Sequence, residues 1–296
     1  MIPWPAEVRM KFLNFSYFSF WPVVIMCFFY KDAFAMLKAL DTSAAGMAAQ
    51  EINVNTISNN LANLNTTGFK RERAEFEDLL YETVQEAGSM SGGSARYNVG
   101  TQVGSGAKVS ATRKDFLQGS PQITNNPFDL MISGSGFFGI ILPNNELRFT
   151  RDGTFNVDSQ GQLVTRAGYR VFPGITLPIG VSSVAISENG TVEVYFKNQP
   201  EANNVGQIAV FTFVNPVGLK NAGGNLYQVT ISSGQPQQGI GGENSAGMVV
   251  QGSLEVANVN VMTEMTDLIK AQRAYEMNSK VMGVVDQMLK TVTTLR

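Results

Sequence analysis

The stretch NVNVMTEMTDLIKAQRAYEMNSKVMGVVDQMLKTVTTL, residues 258–295, decides how this chain folds. Apolar and amide side chains recur along it in steps of three and four residues: Val261, Met265, Leu268, Gln272, Tyr275, Asn278, Met282, Val285, Leu289 and Val292. That spacing places one side chain per helical turn on a single face. A helix over this stretch is about 57 Å long, whereas globular helices average about 11–12 residues. The pattern favours a long helix with a coiled-coil seam, and an ordinary amphipathic core helix is the alternative.

The N-terminal part of the chain, residues 36–67, has a similar seam made of Leu37, Leu40, Ala44 and Met47, then Val54, Ile57, Leu61 and Leu64. Six asparagines between residues 53 and 65 cost about 3–4 kcal/mol of helix propensity in total. A helix here therefore needs neighbours that use the amide groups. The sequence TTGF at 66–69 signals the helix end, with Gly68 in the left-handed C′ position and Phe69 folded back onto Leu64.

The middle of the chain is predicted to be β-structure. Over residues 113–234 turn signals arrive every 6–12 residues or so, between short runs of strand-forming residues. Asn189-Gly190 predicts a hairpin with a type I′ turn. Gly/Ser-rich stretches mark residues 68–112 and 235–257 as connectors. The predicted fold is α+β: long N- and C-terminal helices, 36–67 and 258–296, form a discontinuous coiled-coil domain around an inserted antiparallel β domain.

Composition excludes several kinds of function. The chain has 296 residues, with 22 Lys+Arg against 24 Asp+Glu and a net charge of −2, which gives no electrostatic reason to expect nucleic acid. Because the chain has no histidine and one cysteine, Cys27, it cannot form histidine-dependent nucleophile sites, histidine-ligated zinc sites or an intrachain disulfide. We predict no catalytic residue, no cofactor and no metal.

Three motifs that could carry chemistry are better explained by structure. The GSGFFG sequence at 134–139 matches a dinucleotide-binding pattern, but a strand-like run and Pro143 follow it where a helix would be required. Asp152 and Asp158 are typical of turns rather than of a carboxylate pair. The KRER cluster at 70–73 is predicted to be a solvated or interfacial face.

Residues 1–35 differ from the rest of the chain. They hold both tryptophans, Cys27 and seven of the 19 phenylalanines, and no charge occurs from residue 12 to residue 30. Arg9 and Lys11 before this run, and AFA at 33–35 after it, are typical of a signal peptide, and the run is marginally long enough to span a bilayer. We expect a non-native or signal-like extension, with Met36 as the alternative start.

Several motifs together resemble the bacterial flagellar basal-body rod and hook family. At the N-terminal end they are SNNLAN at 58–63 and TTGFK at 66–70, and at the C-terminal end NVNV at 258–261 and LIKAQRAYE at 268–276. In the middle they are GSGFF at 134–138, TRDGTF at 150–155 and GQLVT at 161–165. Within the family, FEDLLY at 76–81, GNLY at 224–227 and the 261 residues from Met36 resemble the distal-rod branch. The resemblance covers residues 36–296 and none of 1–35.

The resemblance implies a structural protein without enzymatic activity. Members polymerise helically into the hollow rod that carries torque through the periplasm from motor to hook. The implied partners are further copies of the chain, proximal rod proteins, the hook protein, the surrounding P and L ring proteins and the flagellar export apparatus. The residues expected at the assembly interface are Asn59, Asn60, Leu61, Asn63, Gly68, Phe69, Leu268, Gln272, Tyr275, Asn278, Met282, Val285 and Leu289.

Three alternatives remain open at this point. One is a proximal rod protein of the same family. Another is a membrane-anchored periplasmic β-domain that binds a ligand, which requires residues 1–35 to act as an anchor. The last is a carboxylate hydrolase. The first residue of the native protein, together with a search for a longer precursor, distinguishes the anchored protein from the rod protein.

Overall fold

The computed structural model describes residues 21–90, 98–197, 199–243 and 245–294, and for residues 21–35 it describes the backbone alone. The expectation for residues 1–20 lies outside the described residues. Helix α1 spans Trp21–Ala62 and helix α2 spans Val261–Thr294. No helix among the described residues is long and apolar enough to cross a membrane.

Twenty strands lie between the two helices in the part of the chain that is described, so the α+β prediction is confirmed. They are β1 Glu72–Asp78, β2 Tyr81–Gln85, β3 Thr101–Gly104, β4 Ala107–Lys114, β5 Pro121–Ile123, β6 Leu130–Ser133, β7 Phe137–Ile141, β8 Leu147–Thr150, β9 Phe155–Val157, β10 Leu163–Thr165, β11 Arg170–Val171, β12 Val181–Ile186, β13 Thr191–Phe196, β14 Gln199–Gln207, β15 Val210–Thr212, β16 Lys220–Gly223, β17 Leu226–Gln228, β18 Gln237–Gly239, β19 Met248–Gln251 and β20 Ser253–Glu255. A 3₁₀ turn occupies Pro216–Gly218. Strands therefore occur within both ranges that we expected to be connectors.

Two compact units divide the chain. The first holds Met1–Ile52, Phe76–Ser110 and Lys270–Arg296, and the second holds Asn53–Glu75 and Ala111–Ile269. In the first unit, β2 and β3 form an antiparallel ribbon, and Lys38 of α1 pairs with Glu82 of that ribbon at 2.7 Å. The two helices approach closely at one point, since a Cβ atom added to Gly46 would lie 2.8 Å from the side-chain nitrogen of Asn278.

The second unit is built on an antiparallel sheet with strand order β16-β17-β8-β7-β11-β10-β9, to which β15 and β18 add at β7. Side chains alternate across β7, so Phe138 and Phe137 enter two different cores. Phe138 stacks edge-on against Phe155 at 5.2 Å, and Phe137 against Tyr227 at 5.7 Å. Both faces of the sheet are therefore buried at β7.

The remaining strands pair in smaller sheets. β12, β13 and β14 form a three-stranded sheet, β19 pairs with β6, β20 with β5, and β1 with β4. The hairpin predicted at Asn189-Gly190 is confirmed, with Ile186 opposite Val192. The type I′ turn is wrong, because only Gly190 has a positive φ (84°) and the loop has four residues, 187–190. β7 begins at Phe137 inside the GSGFFG motif of residues 134–139, so that motif opens no helix.

Candidate assembly site

The end of α1 and the start of α2 meet through a buried amide. Asn60 has no exposed surface, and its Nδ2 donates to Glu264 Oε2 at 3.0 Å and to the backbone carbonyl of Glu72 at 2.8 Å. The same amide accepts from the Glu72 N–H at 2.9 Å. The asparagine-rich stretch is helical as far as Ala62, and the hydrogen bonds of Asn60 offset the poor helix propensity of that residue.

The start of α2 is fixed by asparagines. Asn260 caps the helix, since its Oδ1 accepts from the N–H groups of Met262 and Thr263 at 3.0 and 3.4 Å. Asn258 accepts from the Arg71 N–H at 2.7 Å and donates to the carbonyls of Asp115 and Leu117. These bonds hold the segment before α2 against the segment that follows α1.

A charged cluster lies buried directly below this junction. Glu255 pairs with Lys70 at 2.6 Å and with Arg151 at 3.3 Å, and the three side chains are at most 3% exposed. Glu255 also accepts from the Gly119 N–H at 2.8 Å, and Lys70 donates to the Leu117 carbonyl at 2.7 Å. Burial lowers the pKa of Lys70 and of Arg151, and the Glu255 carboxylate opposes that shift in both.

The cluster corrects one prediction. We predicted a solvated or interfacial face for the KRER cluster. Lys70 is instead completely buried, and Arg71 contacts the buried carboxylate of Glu264 and lies 3.7 Å from Asp267, whereas the Arg73 side chain is exposed. The sequence signal is the position of Glu255 among the apolar residues Leu254, Val256 and Ala257, since an acid that is buried with such neighbours is usually paired. Its partners, Lys70 and Arg151, lie too far away in sequence to be recognised.

Gly68 has the left-handed backbone that we predicted, with φ +67°. Its role as the helix C′ residue is wrong, because α1 ends at Ala62 and the Gly68 N–H donates to the carbonyl of Glu255 at 2.8 Å. A Cβ at this position would lie 2.6 Å from the backbone carbon of Arg151. Gly68 is therefore required for two reasons: its backbone is left-handed, and the backbone at Arg151 passes too close to leave room for a Cβ.

The other predicted residues near the end of α1 differ in their surroundings. Asn59 is exposed, and Asn63 donates to its carbonyl and to its side-chain oxygen. Leu61 is half-buried. Phe69 is buried, and the ammonium group of Lys114 lies 5.3 Å from the centre of its ring.

The structure places the predicted residues of α2 on two faces. Leu268, Asn278, Met282 and Leu289 are half-buried and Val285 is buried, whereas Gln272 and Tyr275 are exposed. The covered face runs through Glu264, Leu268, Ala271, Ala274, Asn278, Met282, Val285 and Leu289. Ala271 is 2% exposed and Tyr275 is 44% exposed. The seam prediction assigned the large Tyr275 to the covered face, but the smaller Ala271 and Ala274 lie there instead.

On α1, too, the covered residues differ in part from the predicted seam. Among the described side chains of α1, the predicted seam residue Ile57 is buried, and the other buried ones are small or polar, namely Ser43, Ala49, Thr56 and Asn60. Leu37, predicted for the seam, is 54% exposed. A small residue leaves room for a neighbouring side chain, as Gly46 does for the amide of Asn278.

The described residues contain no constellation with evident chemistry. No group of three or more Asp, Glu or Cys side chains among them is placed to hold a metal ion. Asp152, weighed above as a possible catalytic acid, accepts from the N–H and hydroxyl of Thr154 and completes a turn. The geometry is that of a structural junction in which hydrogen bonds and ion pairs fix the terminal helices to the β-structure.

Comparison with known families points to one class. A flagella basal body rod protein model matches residues 40–70, a flagellar hook protein FlgE/F/G D1 domain matches 131–194, and a flagellar basal body rod FlgEFG C-terminal model matches 250–295. The junction of Asn60, Lys70, Glu255 and Glu264 is drawn from the first and last of these segments.

Individual relatives agree with the family matches. The chain is 47% identical to flagellar basal-body rod protein FlgG of Caulobacter vibrioides over 261 residues, covering 88% of this chain and 100% of the relative. It is 46% identical to FlgG of Borreliella burgdorferi over 263 residues, covering 88% and 99%. It is 33% identical to FlgG of Bacillus subtilis over 269 residues, covering 88% and 100%.

These matches define a structural protein of the bacterial flagellum and not an enzyme. The chain belongs to the family of flagellar basal-body rod proteins. Within that family it is a structural protein of the distal rod.

Proposed function

We propose that the chain builds the distal rod by helical polymerisation in which the two terminal helices form a coiled coil with neighbouring copies. Each subunit offers one surface to the next and a different surface to the previous one, so the contacts do not close and an open filament results. The further partners in this proposal are proximal rod proteins at one end, the hook protein at the other, the P and L rings around the rod in the periplasm, and the export apparatus during secretion.

One observation carries the proposal. The C-terminal half of α2 has two adjacent apolar stripes, of which the first, Asn278, Met282, Val285 and Leu289, is covered within the chain. The second stripe consists of the residues immediately before these, Met277, Val281, Val284 and Met288, which are 47–60% exposed. An exposed apolar stripe of this length favours burial against another helix. Gln272 and Tyr275, exposed in the single chain, are further contact residues in this proposal.

The test uses a flagellated host that lacks its own distal rod protein and expresses this chain. Val284→Asp places a carboxylate in the exposed stripe, where burial against a neighbour would be costly. Gln287→Asp adds the same charge at an exposed polar position of the same helix and is the matched control. We expect electron microscopy to show complete rods with Gln287→Asp and none with Val284→Asp. Complete rods with both variants would disprove the contact.

The covered stripe is tested in the same host. Leu289→Asp should also abolish rods, because the half-buried Leu289 lies on the covered face of α2. The purified variant should keep the β-structure signal of the second unit in circular dichroism, since Leu289 belongs to the first unit. Loss of that signal would show that the helix supports the fold of the β-structure and not assembly alone.

A further inference from the structure

A polar cavity of about 860 Å³ lies in the second unit, beside the turn that follows α1. Asn63, Thr66 and Thr67 of that turn line it, together with side chains from β8 and from the β16–β17 hairpin. The volume is that of a specific binding pocket. Hydroxyl and amide groups supply much of the polar lining, together with the carboxylate of Asp152, and apolar patches lie at Leu142, Tyr169 and Leu226.

Two arginines and one carboxylate, Asp152, line the cavity, so its lining has an excess of positive charge that favours a further carboxylate. Arg148 lines it with a side chain only 13% exposed; its Nη2 donates to Glu146, and its Nε is buried without a hydrogen-bond acceptor among the described residues. Arg166 lines the cavity with an exposed side chain. A buried unpaired N–H is costly, and a carboxylate could accept from Nε and an adjacent Nη together.

The same chain carries an acidic segment that suits this cavity. No Lys or Arg occurs between Arg73 and Arg96, while five acids fall within residues 75–86. Asp78 and Glu86 are exposed and stand at the two ends of residues 78–86. Between them, Leu80 is 89% exposed and Val84 is 67% exposed. This segment therefore combines carboxylates with unburied apolar side chains.

We propose that the cavity binds residues 78–86 of a second copy of the chain, with a carboxylate of that segment on Arg148 and Arg166 and its apolar side chains on the apolar patches. The proposal rests on the proposed function, because it describes one contact of the polymer. The donor segment and the cavity are different surfaces of one chain, so the contact is head-to-tail and repeats without closing.

Disulfide trapping in assembled rods tests the contact directly. In a Cys27→Ala background, Leu80→Cys is combined with Ala167→Cys, an exposed residue that lines the cavity. The control pairs Leu80→Cys with Ile123→Cys, which is 75% exposed and does not line the cavity. After mild oxidation of isolated basal bodies, we expect a ladder of dimers and higher multimers, at least tenfold more abundant for the first pair than for the control. Rods that contain the first pair without such a ladder would overturn the proposal and leave the proposed function intact.

A charge exchange provides a second measurement that does not depend on cysteines. Arg166→Glu should reduce the number of complete rods at least tenfold, and adding Asp78→Arg or Glu86→Arg should restore them. If Arg166→Glu alone assembles normally, or if neither second substitution restores rods, the docking is wrong. If the unsubstituted chain builds no rods in the same host, both the docking and the proposed function are wrong.

Discussion

Asn60 in the last turn of α1 donates a hydrogen bond from Nδ2 to Oε2 of Glu264 in the first turn of α2, over 3.0 Å and across 204 positions of sequence. Both side chains are at most 1% exposed. This contact joins the two ends of the chain inside a single unit, and it depends on an uncharged amide that can donate and accept at once.

Replacing Asn60 should destabilise the second unit. Asn60→Ala leaves the N–H and carbonyl of Glu72 and one oxygen of Glu264 without the amide, and we expect a loss of about 2–4 kcal/mol in the free energy of unfolding. Asn59→Ala is the control, because Asn59 is exposed and its side-chain oxygen accepts from the neighbouring Asn63; it should change stability by less than about 0.5 kcal/mol. Urea unfolding followed by circular dichroism measures both, and equal midpoints would contradict the role of the buried amide.

Position 68 should reject every side chain. From φ alone, asparagine would be tolerated better than valine, but any Cβ at Gly68 meets the backbone of Arg151 and Asp152 at 2.6–2.7 Å. We therefore expect Gly68→Asn and Gly68→Val both to prevent rod formation. Gly88→Asn is the control, since Gly88 has φ +86° with no atom within 4 Å of the added Cβ. A Gly68→Asn variant that swims normally would show that the backbone crossing can relax.

The buried carboxylate of Glu255 should be indispensable. Glu255→Gln keeps the shape and an acceptor for Gly119 but leaves two buried cations, Lys70 and Arg151, without a counter-charge. Breaking a buried pair in this way costs about 3–5 kcal/mol. The exposed pair of Arg273 and Glu276 provides the control, and Glu276→Gln should leave the urea midpoint unchanged. Similar midpoints for the two variants would mean that water reaches the cluster.

The stability of the second unit should depend on pH through Asp152. Burial raises the pKa of this carboxyl above its ordinary value of 3.8, although hydrogen bonds from Thr154 oppose the shift. The folded state then binds more protons than the unfolded state above pH 3.8, so stability falls as pH rises until it passes the raised pKa. Asp152→Asn keeps an acceptor for Thr154. Relative to the unsubstituted chain, its free energy of unfolding should increase as pH rises from 3.8 to the raised pKa, and should show no such increase below pH 3.8. A difference in stability between the two chains that does not vary with pH would contradict the raised pKa of Asp152.

Residues 1–35 should be dispensable for assembly. Their composition departs from that of residues 36–296, which alone carry the family motifs. A chain that begins at Met36 should restore swimming to a rod-null strain as well as the full chain does. Restoration by the full chain only would show that the first 35 residues act in export or assembly.

Local pattern was sufficient for the outline of this protein. Apolar spacing predicted helices at both ends, turn residues predicted antiparallel strands between them, and signature motifs such as SNNLAN at 58–63 identified the family. The predicted bounds of α1, 36–67, were wrong at both ends, since the helix begins at Trp21 and ends at Ala62. These features could be predicted because they depend on neighbours within a few residues.

Side-chain burial at the junction depended on the tertiary structure alone. Nothing local distinguishes the buried Lys70 from an exposed lysine, or the covered Ala271 from a surface alanine, because the deciding partners are distant in sequence: Glu255 lies 185 positions from Lys70. The sequence by itself determined the helical ends, the β middle and the family. The tertiary structure decided the rest: the covered face of each helix, the charges that are desolvated and the need for a residue without a Cβ at Gly68. These features arise only when folding brings residues 60–71, 151 and 255–264 together, because desolvation and close backbone contact depend on partners that are distant in sequence.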